Sequence, residues 1–441
     1  MNQQFLDRMK ELLDESDYQA YLETLQLKPF RGFRVNTLKT TEEDFFANYD
    51  LPSSPSSFAK SAYYVETDET YGNSLPHALG LMYMQEPSAA SAVSILEPQP
   101  DDWVLDLCAA PGGKSTQIAQ HLTGEGLLIT NEIESKRAQI LLSNIERLGI
   151  SNAIVTNSTP EKLARTLQGK MDKVLVDAPC SGEGMFKKES KAIEDWSKEH
   201  VLSCSLRQKH ILNCAIQTLK QNGILVYSTC TYAIEENEEN VRCVLDNYPD
   251  LECIEINVPW GRQGVKIEDY PTNYTRRILP MDKGEGHFVA KFRKTSPTTE
   301  HKLDIVKSDR LMPCVKEYLL KEISGDVKLC IKKNRVYAGS HPFYDLEDNY
   351  VLRNQVLIGE IINDRFEPHQ HLYTSALFNS RLNHTISCDI AEIESFRKGN
   401  ILQKVTPKGY VGIKYQNNCI GFGKSDGTII KNKLPKGLRI R

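Results

Sequence analysis

Between residues 104 and 229 the chain alternates short apolar runs with stretches of helical periodicity. The runs are Val104–Leu107, Leu127–Glu132, Ala153–Asn157, Lys173–Asp177 and Ile224–Thr229. Thr116–Leu122, Lys136–Leu148 and Val201–Leu219 carry the helical pattern, with Ser135 as the expected cap of the second helix and Gly149 as its stop. The body of each run is apolar and only its ends are polar, without an in–out alternation. That predicts strands buried on both faces, hence a parallel sheet with helices on either side. Ligands bind such sheets at the carboxyl ends of the strands. Here those ends carry Asp106, Glu132, Asn157, Asp177 and Thr229. Gly286–Phe292 reads as a final strand, and Thr295–Thr299 as a linker.

The flanks read differently. Phe5, Met9, Leu12 and Leu13 recur at helical spacing, so residues 1–30 are predicted helical. Arg31–Lys39 alternates basic and apolar positions and predicts a strand. Its arginines and Asn36 are candidates for RNA contact, against the alternative of charge guarding a strand edge. Pro52–Phe58 is a loop, and Pro87 is placed to open a helix that leads into the first core strand. Beyond the linker, residues 300–375 suggest a mixed α/β middle domain. Residues 385–441 are rich in β-formers, glycine and lysine and suggest a small barrel-like domain. The expected division is 1–75, 76–293, 300–375 and 385–441.

Composition narrows the class. The 441 residues carry a net charge of −4. From Lys294 onward, however, 24 Lys and Arg stand against 16 Asp and Glu. From Arg397 to Arg441, 11 basic residues face one acid, Asp426. A basic tail of this kind is a candidate phosphate-binding surface. No apolar run approaches the roughly 20 residues of a membrane helix, and the first residues lack a signal-peptide pattern. The 11 cysteines include no CxxC pair, which argues against a disulfide framework and a zinc site. The expectation is a reduced, cytoplasmic, monomeric protein without a membrane segment or bound metal.

The chemistry gathers at three turns. Leu107–Thr116 ends a strand in a Gly112-Gly113 turn that opens a helix. It fits neither the phosphate-loop spacing nor Gly-x-Gly-x-x-Gly. A nucleoside cofactor with little phosphate suits it, Gly112 keeping the cofactor's space clear. Two further strand tips carry Cys180 and Cys230 in polar loops. In a parallel sheet the fourth and fifth strands commonly lie side by side, so both thiols open into one cleft. Two thiols and a carboxylate beside a nucleoside cofactor fit one chemistry. A thiolate adds to carbon 6 of cytosine, carbon 5 then attacks an electrophilic methyl group, and a second basic group removes the carbon-5 proton. Spacing alone does not choose which thiol attacks.

At Asp106-Leu-Cys-Ala-Ala-Pro-Gly-Gly-Lys114, Asp177-Ala-Pro-Cys-Ser-Gly-Glu-Gly184 and Ser228-Thr-Cys-Thr-Tyr232 the chain resembles the Sun-type RNA cytosine-5 methyltransferases. Arg34-Val35-Asn36 is similar to their N-terminal RNA-binding segment. Leu352-Arg-Asn-Gln-Val-Leu-Ile-Gly359, Arg365-Phe-Glu-Pro368 and Asn432-Lys-Leu-Pro-Lys-Gly-Leu-Arg439 resemble the bacterial RsmF-type branch. The resemblance implies a Rossmann-like α/β methyltransferase core, an N-terminal α+β RNA-binding segment and a C-terminal PUA-like domain. It implies S-adenosylmethionine as methyl donor, held by Cys108, Ala109, Ala110, Pro111, Gly112, Gly113, Lys114, Glu132, Asn157 and Asp177. Asn157 departs from the Asp of many relatives. The resemblance assigns Cys230 as nucleophile, Cys180 to release and Asp177 to acid–base work. Lys114 either positions the cytosine or pairs with Asp177 or Asp106. The implied substrate is RNA, most of all 16S ribosomal RNA. Transfer RNA, DNA and a non-catalytic assembly role are the alternatives.

Overall fold

Seven strands of one large sheet position everything that follows: β1 (Trp103–Asp106), β2 (Leu127–Asn131), β3 (Ala153–Thr156), β4 (Met171–Asp177), β5 (Leu219–Thr229), β6 (His287–Lys294) and β7 (Val351–Asn354). The computed structural model describes residues 2–299, 302–347 and 349–440. Across the sheet the order is β6–β5–β4–β1–β2–β3–β7, and Arg276–Ile278 continues it beyond β6. β1 to β5 run parallel, whereas β6 and β7 are antiparallel to their neighbours.

The apolar runs bury both faces as their pattern requires. Val104, Leu128, Val155 and Val226 pack on one side with Ile118, Leu141 and Ile145. Leu105, Ile129, Ile154, Val174 and Leu225 pack on the other with Leu163, Ile211 and Leu212. The chain leaves β1 toward β2 and β3 and then returns to place β4 on the opposite side of β1. This reversal opens a crevice between the carboxyl ends of β1 and β4. Next to it, Asp177 of β4 lies in register with Ser228 of β5, which brings the two cysteine loops together.

The flanking segments are less separate than their composition suggests. β7 comes from the middle segment, yet it closes the edge of the core sheet against β3, covering backbone that would otherwise be exposed for pairing. The rest of that segment forms its own sheet, Lys328–Lys332, Arg335–Gly339, Val356–Ile362 and Arg365–Pro368. The C-terminal sheet comprises Thr385–Ser387, Gly409–Tyr415, Asn418–Ser425 and Ile430–Asn432. It shares one hydrophobic cluster with the N-terminal sheet, whose strands are Gly32–Val35, Ser53–Pro55, Ala62–Val65 and Met82–Met84: Phe33, Val35, Phe45 and Leu79 pack with Ile393, Phe396, Val411 and Ile413.

Local expectations fare unevenly. Residues 3–24 form two helices, Gln3–Leu12 and Glu15–Thr24, with Phe5 and Met9 buried. Pro87 opens a short helical turn capped by the Glu86 carboxylate. Ser135 is the first residue of its helix rather than the cap, because the buried Glu132 carboxylate already takes the Glu134 N–H at 2.9 Å. The strand Gly32–Val35 forms, but Arg34 and Asn36 are buried and make no surface for RNA. Arg34 donates to Thr116 Oγ1 at 2.8 Å, to the Gly113 carbonyl at 3.1 Å and to Gln120. Asn36 donates to the carbonyls of Gly80 and Leu148 at 2.7 and 2.8 Å. Both fasten the N-terminal sheet to the helices that follow β1 and β2.

Candidate active site

The strand tips are held level by one side chain. Asn131, at the end of β2, donates to the carbonyls of Leu107 and Ser158, and its oxygen accepts from the Ser158 N–H and the Thr156 hydroxyl. Its own carbonyl accepts the Ala109 N–H at 2.8 Å. The loops after β1 and β3 are thereby tied to β2.

The turn after β1 is a cradle with polar groups on three sides. Gly112 has φ +112°, and a Cβ there would lie 3.2 Å from Leu141 Cδ1. Glycine is therefore required by the backbone and by packing against the helix Ser135–Arg147, not to clear space for a ligand. The helix Gly113–His121 has no side-chain cap, which leaves its first N–H groups open to an anion. Glu132 lies almost wholly buried, with Arg137 3.2 Å from its Oε2. Asn157 gives its Nδ2 to the carbonyls of Glu132 and Ile133 at 2.7 and 2.9 Å. Its acceptor oxygen is thus the atom left for a ligand, and an Asp there would face two carbonyls. Asp106 points below the turn: Oδ2 accepts from Ser115 at 2.6 Å, while Oδ1 has no partner among the described residues. Burial pushes its carboxyl up to about 7. Burial likewise raises the Cys108 thiol.

A carboxylate placed for a diol, an uncapped helix start and an outward amide oxygen match the ribose, carboxylate and amino groups of an adenosylated amino acid.

Across the crevice, Asp177 accepts from Lys114 Nζ at 2.7 Å and from the Ser228 hydroxyl at 2.7 Å. Of the roles open to Lys114, the structure realises the ion pair with Asp177. Beyond them the sulfurs of Cys180 and Cys230 lie 3.2 Å apart. The Cys230 N–H points at Cys180 Sγ, 3.4 Å away. The hydrogen bond with Cys230, then burial, holds the Cys180 thiol well above the ordinary range.

The two loops are locked by groups that the sequence reading did not single out. Ser181 and Thr231 share a hydroxyl contact of 2.8 Å, and Glu183 accepts from Thr231 and from the Tyr232 N–H, both at 2.9 Å. Gly184 donates its N–H to the Cys230 carbonyl at 2.9 Å. A Cβ on Gly184 would come within 2.7 Å of two carbonyls, those of Glu285 and Gly286. Behind the Cys180 loop, Glu236 accepts from the Ser181 N–H and from Gln208, and burial pushes it up to about 7. The motifs contained Ser181, Glu183, Gly184 and Ser228, but nothing in residue type or spacing told their hydrogen bonds apart from ordinary loop chemistry.

Elsewhere, Glu161, His210 and Cys214 approach one another closely enough to share a cation. Cys214 is buried and its thiol is pushed up to about 11, so it is a poor thiolate ligand.

Comparison with known proteins agrees with this geometry. Residues 93–293 match the model for the 16S rRNA methyltransferase RsmB/F family, residues 1–87 the N-terminal domain of 16S rRNA methyltransferase RsmF, and residues 383–440 the methyltransferase RsmF PUA domain. The chain is 31% identical to the ribosomal RNA small subunit methyltransferase F of Vibrio cholerae serotype O1, over 98% of this chain and 96% of that one. To its namesake from Erwinia tasmaniensis it is 28% identical over the same shares. Among solved structures, a methyltransferase homologue from Pyrococcus horikoshii is 27% identical and superposes with a TM-score of 0.55, covering 67% of this chain and all of that one. NSun6 from the same organism, solved with the S-adenosylmethionine analogue SFG, shares the fold with a TM-score of 0.59 at 23% identity, over 67% of this chain and 98% of its own. No helix among the described residues is long and apolar enough to cross a membrane. With its core, its two flanking domains and nearly its whole length matched, the chain belongs to the S-adenosylmethionine-dependent RsmB/F family of 16S rRNA methyltransferases, in its RsmF branch.

Proposed function

We propose that this protein, acting as a cytoplasmic monomer, methylates carbon 5 of a cytosine in small-subunit ribosomal RNA through a covalent cysteine adduct. The observation that carries this reading is the pair of sulfurs 3.2 Å apart, beside a carboxylate fixed by Lys114 and Ser228. S-adenosylmethionine, when bound, supplies the electrophilic methyl group. Glu132 would accept from the ribose hydroxyls and Asn157 Oδ1 from the adenine amino group, and the turn Cys108–Lys114 would hold the methionine portion. Asp177 closes the same pocket from β4.

The target cytosine enters displaced from its stack, since both ring faces are used. Cys230 Sγ adds to carbon 6 while Asp177, in its carboxylic-acid form, donates a hydrogen bond or its proton to ring nitrogen 3. Carbon 5 would then take the methyl group, the sulfonium carbon–sulfur bond breaking to leave a neutral thioether. Cys180 enables loss of the carbon-5 proton, and the bond from Cys230 to carbon 6 breaks as the ring regains aromaticity.

The test is adduct trapping on unmethylated small subunits or their RNA. Cys180→Ala is expected to methylate and then stall as a protein–RNA adduct that survives denaturing electrophoresis. Cys230→Ala is expected to lose both methylation and adduct. The opposite pattern reverses the roles. Methylation of transfer RNA in place of ribosomal RNA changes the substrate, and a wild type with no methyl transfer on any RNA leaves an assembly role.

A further inference from the structure

A cleft of about 510 Å³ lies where four parts of the chain meet, well away from the cysteines. Asn73 and His77 come from the N-terminal segment, Arg147 from the helix after β2, Gln370 from the middle segment, and Arg397 and Arg439 from the C-terminal domain. The helix Ser135–Arg147 begins beside Glu132 and ends at the cleft. At about 1.5 Å per residue its length sets the cleft roughly 20 Å from Glu132, while Asn144 joins Arg147 to the Pro111 carbonyl at the back of the cofactor turn. Neither cysteine nor Asp177 lines the cleft, so it is not where the base reacts.

Its charges are unbalanced. Arg147 is held by the carbonyls of His77 and Met82 and by Asn144, and Arg439 Nε by the Leu434 carbonyl at 3.0 Å. Neither forms an ion pair with a carboxylate among the described residues. Glu146, the acid of the lining, is already paired with Arg353. Burial together with Arg147 and Arg397 pushes His77 down to about 3, so it stays neutral. Cations without a counter-charge in a partly desolvated cleft call for an anion.

The floor is also unfinished. Gln370 and Arg397 are both more than nine-tenths buried. Gln370 gives its Nε2 to the Ile420 carbonyl, but its Oε1 has no partner, and neither has Arg397 Nε. This unpaired acceptor and donor are enclosed beneath the cleft and make its floor polar, which suits a nucleobase better than an apolar ligand. Leu434, Leu438 and Ile440 add apolar wall for a base or ribose.

We propose that this cleft holds one unpaired nucleotide of the substrate RNA, its phosphodiester on Arg147 and Arg439 and its base toward Gln370 and Arg397. The inference rests on the RNA reading above. It adds a second anchor point, separate from the crevice that holds the two cysteines.

The experiment uses the full chain, unmethylated small subuits for turnover and a labelled single-stranded RNA oligonucleotide for binding. Arg439→Gln is expected to raise KM for subunits and the oligonucleotide Kd about five- to tenfold, with kcat and cofactor affinity kept. The slope of log Kd against log salt should become shallower by about one. Arg439→Lys should restore both, because the charge remains. If Arg439→Gln lowers the melting temperature, Ser143→Glu, exposed at the mouth, is the alternative and should produce the same rise in Kd. Unchanged Kd and salt slope in both variants overturn the proposal. So does protection of the wild type by adenosine monophosphate or inorganic phosphate when RNA affinity is indifferent to Arg439, since the cleft would then be a free-nucleotide or phosphate site. A wild type that binds RNA with this dependence on Arg439 but transfers no methyl group sinks the catalytic reading and leaves the cleft standing.

Discussion

The 3.2 Å separation of Cys180 and Cys230 makes their protons interdependent. At that distance a negative charge on one sulfur opposes a second by roughly 5 kcal/mol at an effective dielectric of about 20. The two sulfurs therefore do not ionise together, and the Cys180 thiol is held above the ordinary range. Its proton is held first by the hydrogen bond to Cys230 and then by burial. Replacing Cys230 with Ala removes the first cause and leaves the second. The expected outcome is a fall in the midpoint for alkylation of Cys180. Iodoacetamide labelling between pH 6 and pH 10, read by mass spectrometry of the peptide containing Cys180, measures it. An identical midpoint in wild type and Cys230→Ala would refute the coupling.

The coupling bears on the order of events. In the proposed mechanism, once Cys230 is bonded to carbon 6 its sulfur can carry no negative charge, and the hydrogen bond that held the Cys180 proton is lost. Cys180 then gives up its proton more readily, so that a thiolate is available when the carbon-5 proton has to leave. A resting thiol is thus compatible with a later role in elimination, and the switch is made by the chemistry itself.

Three further outcomes follow from the same geometry. Glu132→Ala should weaken S-adenosylmethionine binding, measured by isothermal titration without RNA, by roughly 10- to 100-fold, the range of one charged hydrogen bond; unchanged affinity would remove Glu132 from the pocket. The folded Asp106 carboxyl keeps its proton up to about 7, against 3.8 for the ordinary group. Its ionisation therefore favours the unfolded chain as pH rises, and Asp106→Asn should gain about 2–3 kcal/mol on wild type between pH 5 and pH 8 in denaturant titrations. Phe396→Ala should cost about 3–5 kcal/mol and lower hydrogen-exchange protection in the strand Gly32–Val35, because both sit in one cluster; protection lost only in the C-terminal sheet would contradict a shared core.

The core sheet was legible because its strands are buried on both faces, so burial writes itself as unbroken apolar runs. The polar tips were legible for the complementary reason: Glu132, Asn157 and Asp177 interrupt those runs where a packed sheet has no use for charge. Arg34 and Asn36 misled because a period-two pattern reports that a position is polar, not what it meets. Their partners are carbonyls and hydroxyls on helices that lie far along the chain. The same limit hid Ser228 and Glu183, whose roles exist only once β4 and β5 are in register.

Domain limits were hardest to read, since composition shifts mark changes in solvent contact and not in core membership. Val351–Asn354 looks like part of the middle segment and pairs with the catalytic sheet. Phe33 and Phe396 belong to segments at opposite ends of the chain and to a single cluster. Deleting the basic tail would expose the apolar face of the N-terminal sheet, and Arg34 ties that sheet to the helix opening at the cofactor turn. A truncated protein would lose RNA contacts and site geometry together. Arg397 illustrates the point within one side chain. It counts toward the basic tail, yet it is buried, paired with Glu394 and bonded to the Asn73 carbonyl. The contribution of the tail to RNA binding is therefore measurable only by charge substitutions in the intact chain, with cofactor affinity as the control that the turn has kept its shape.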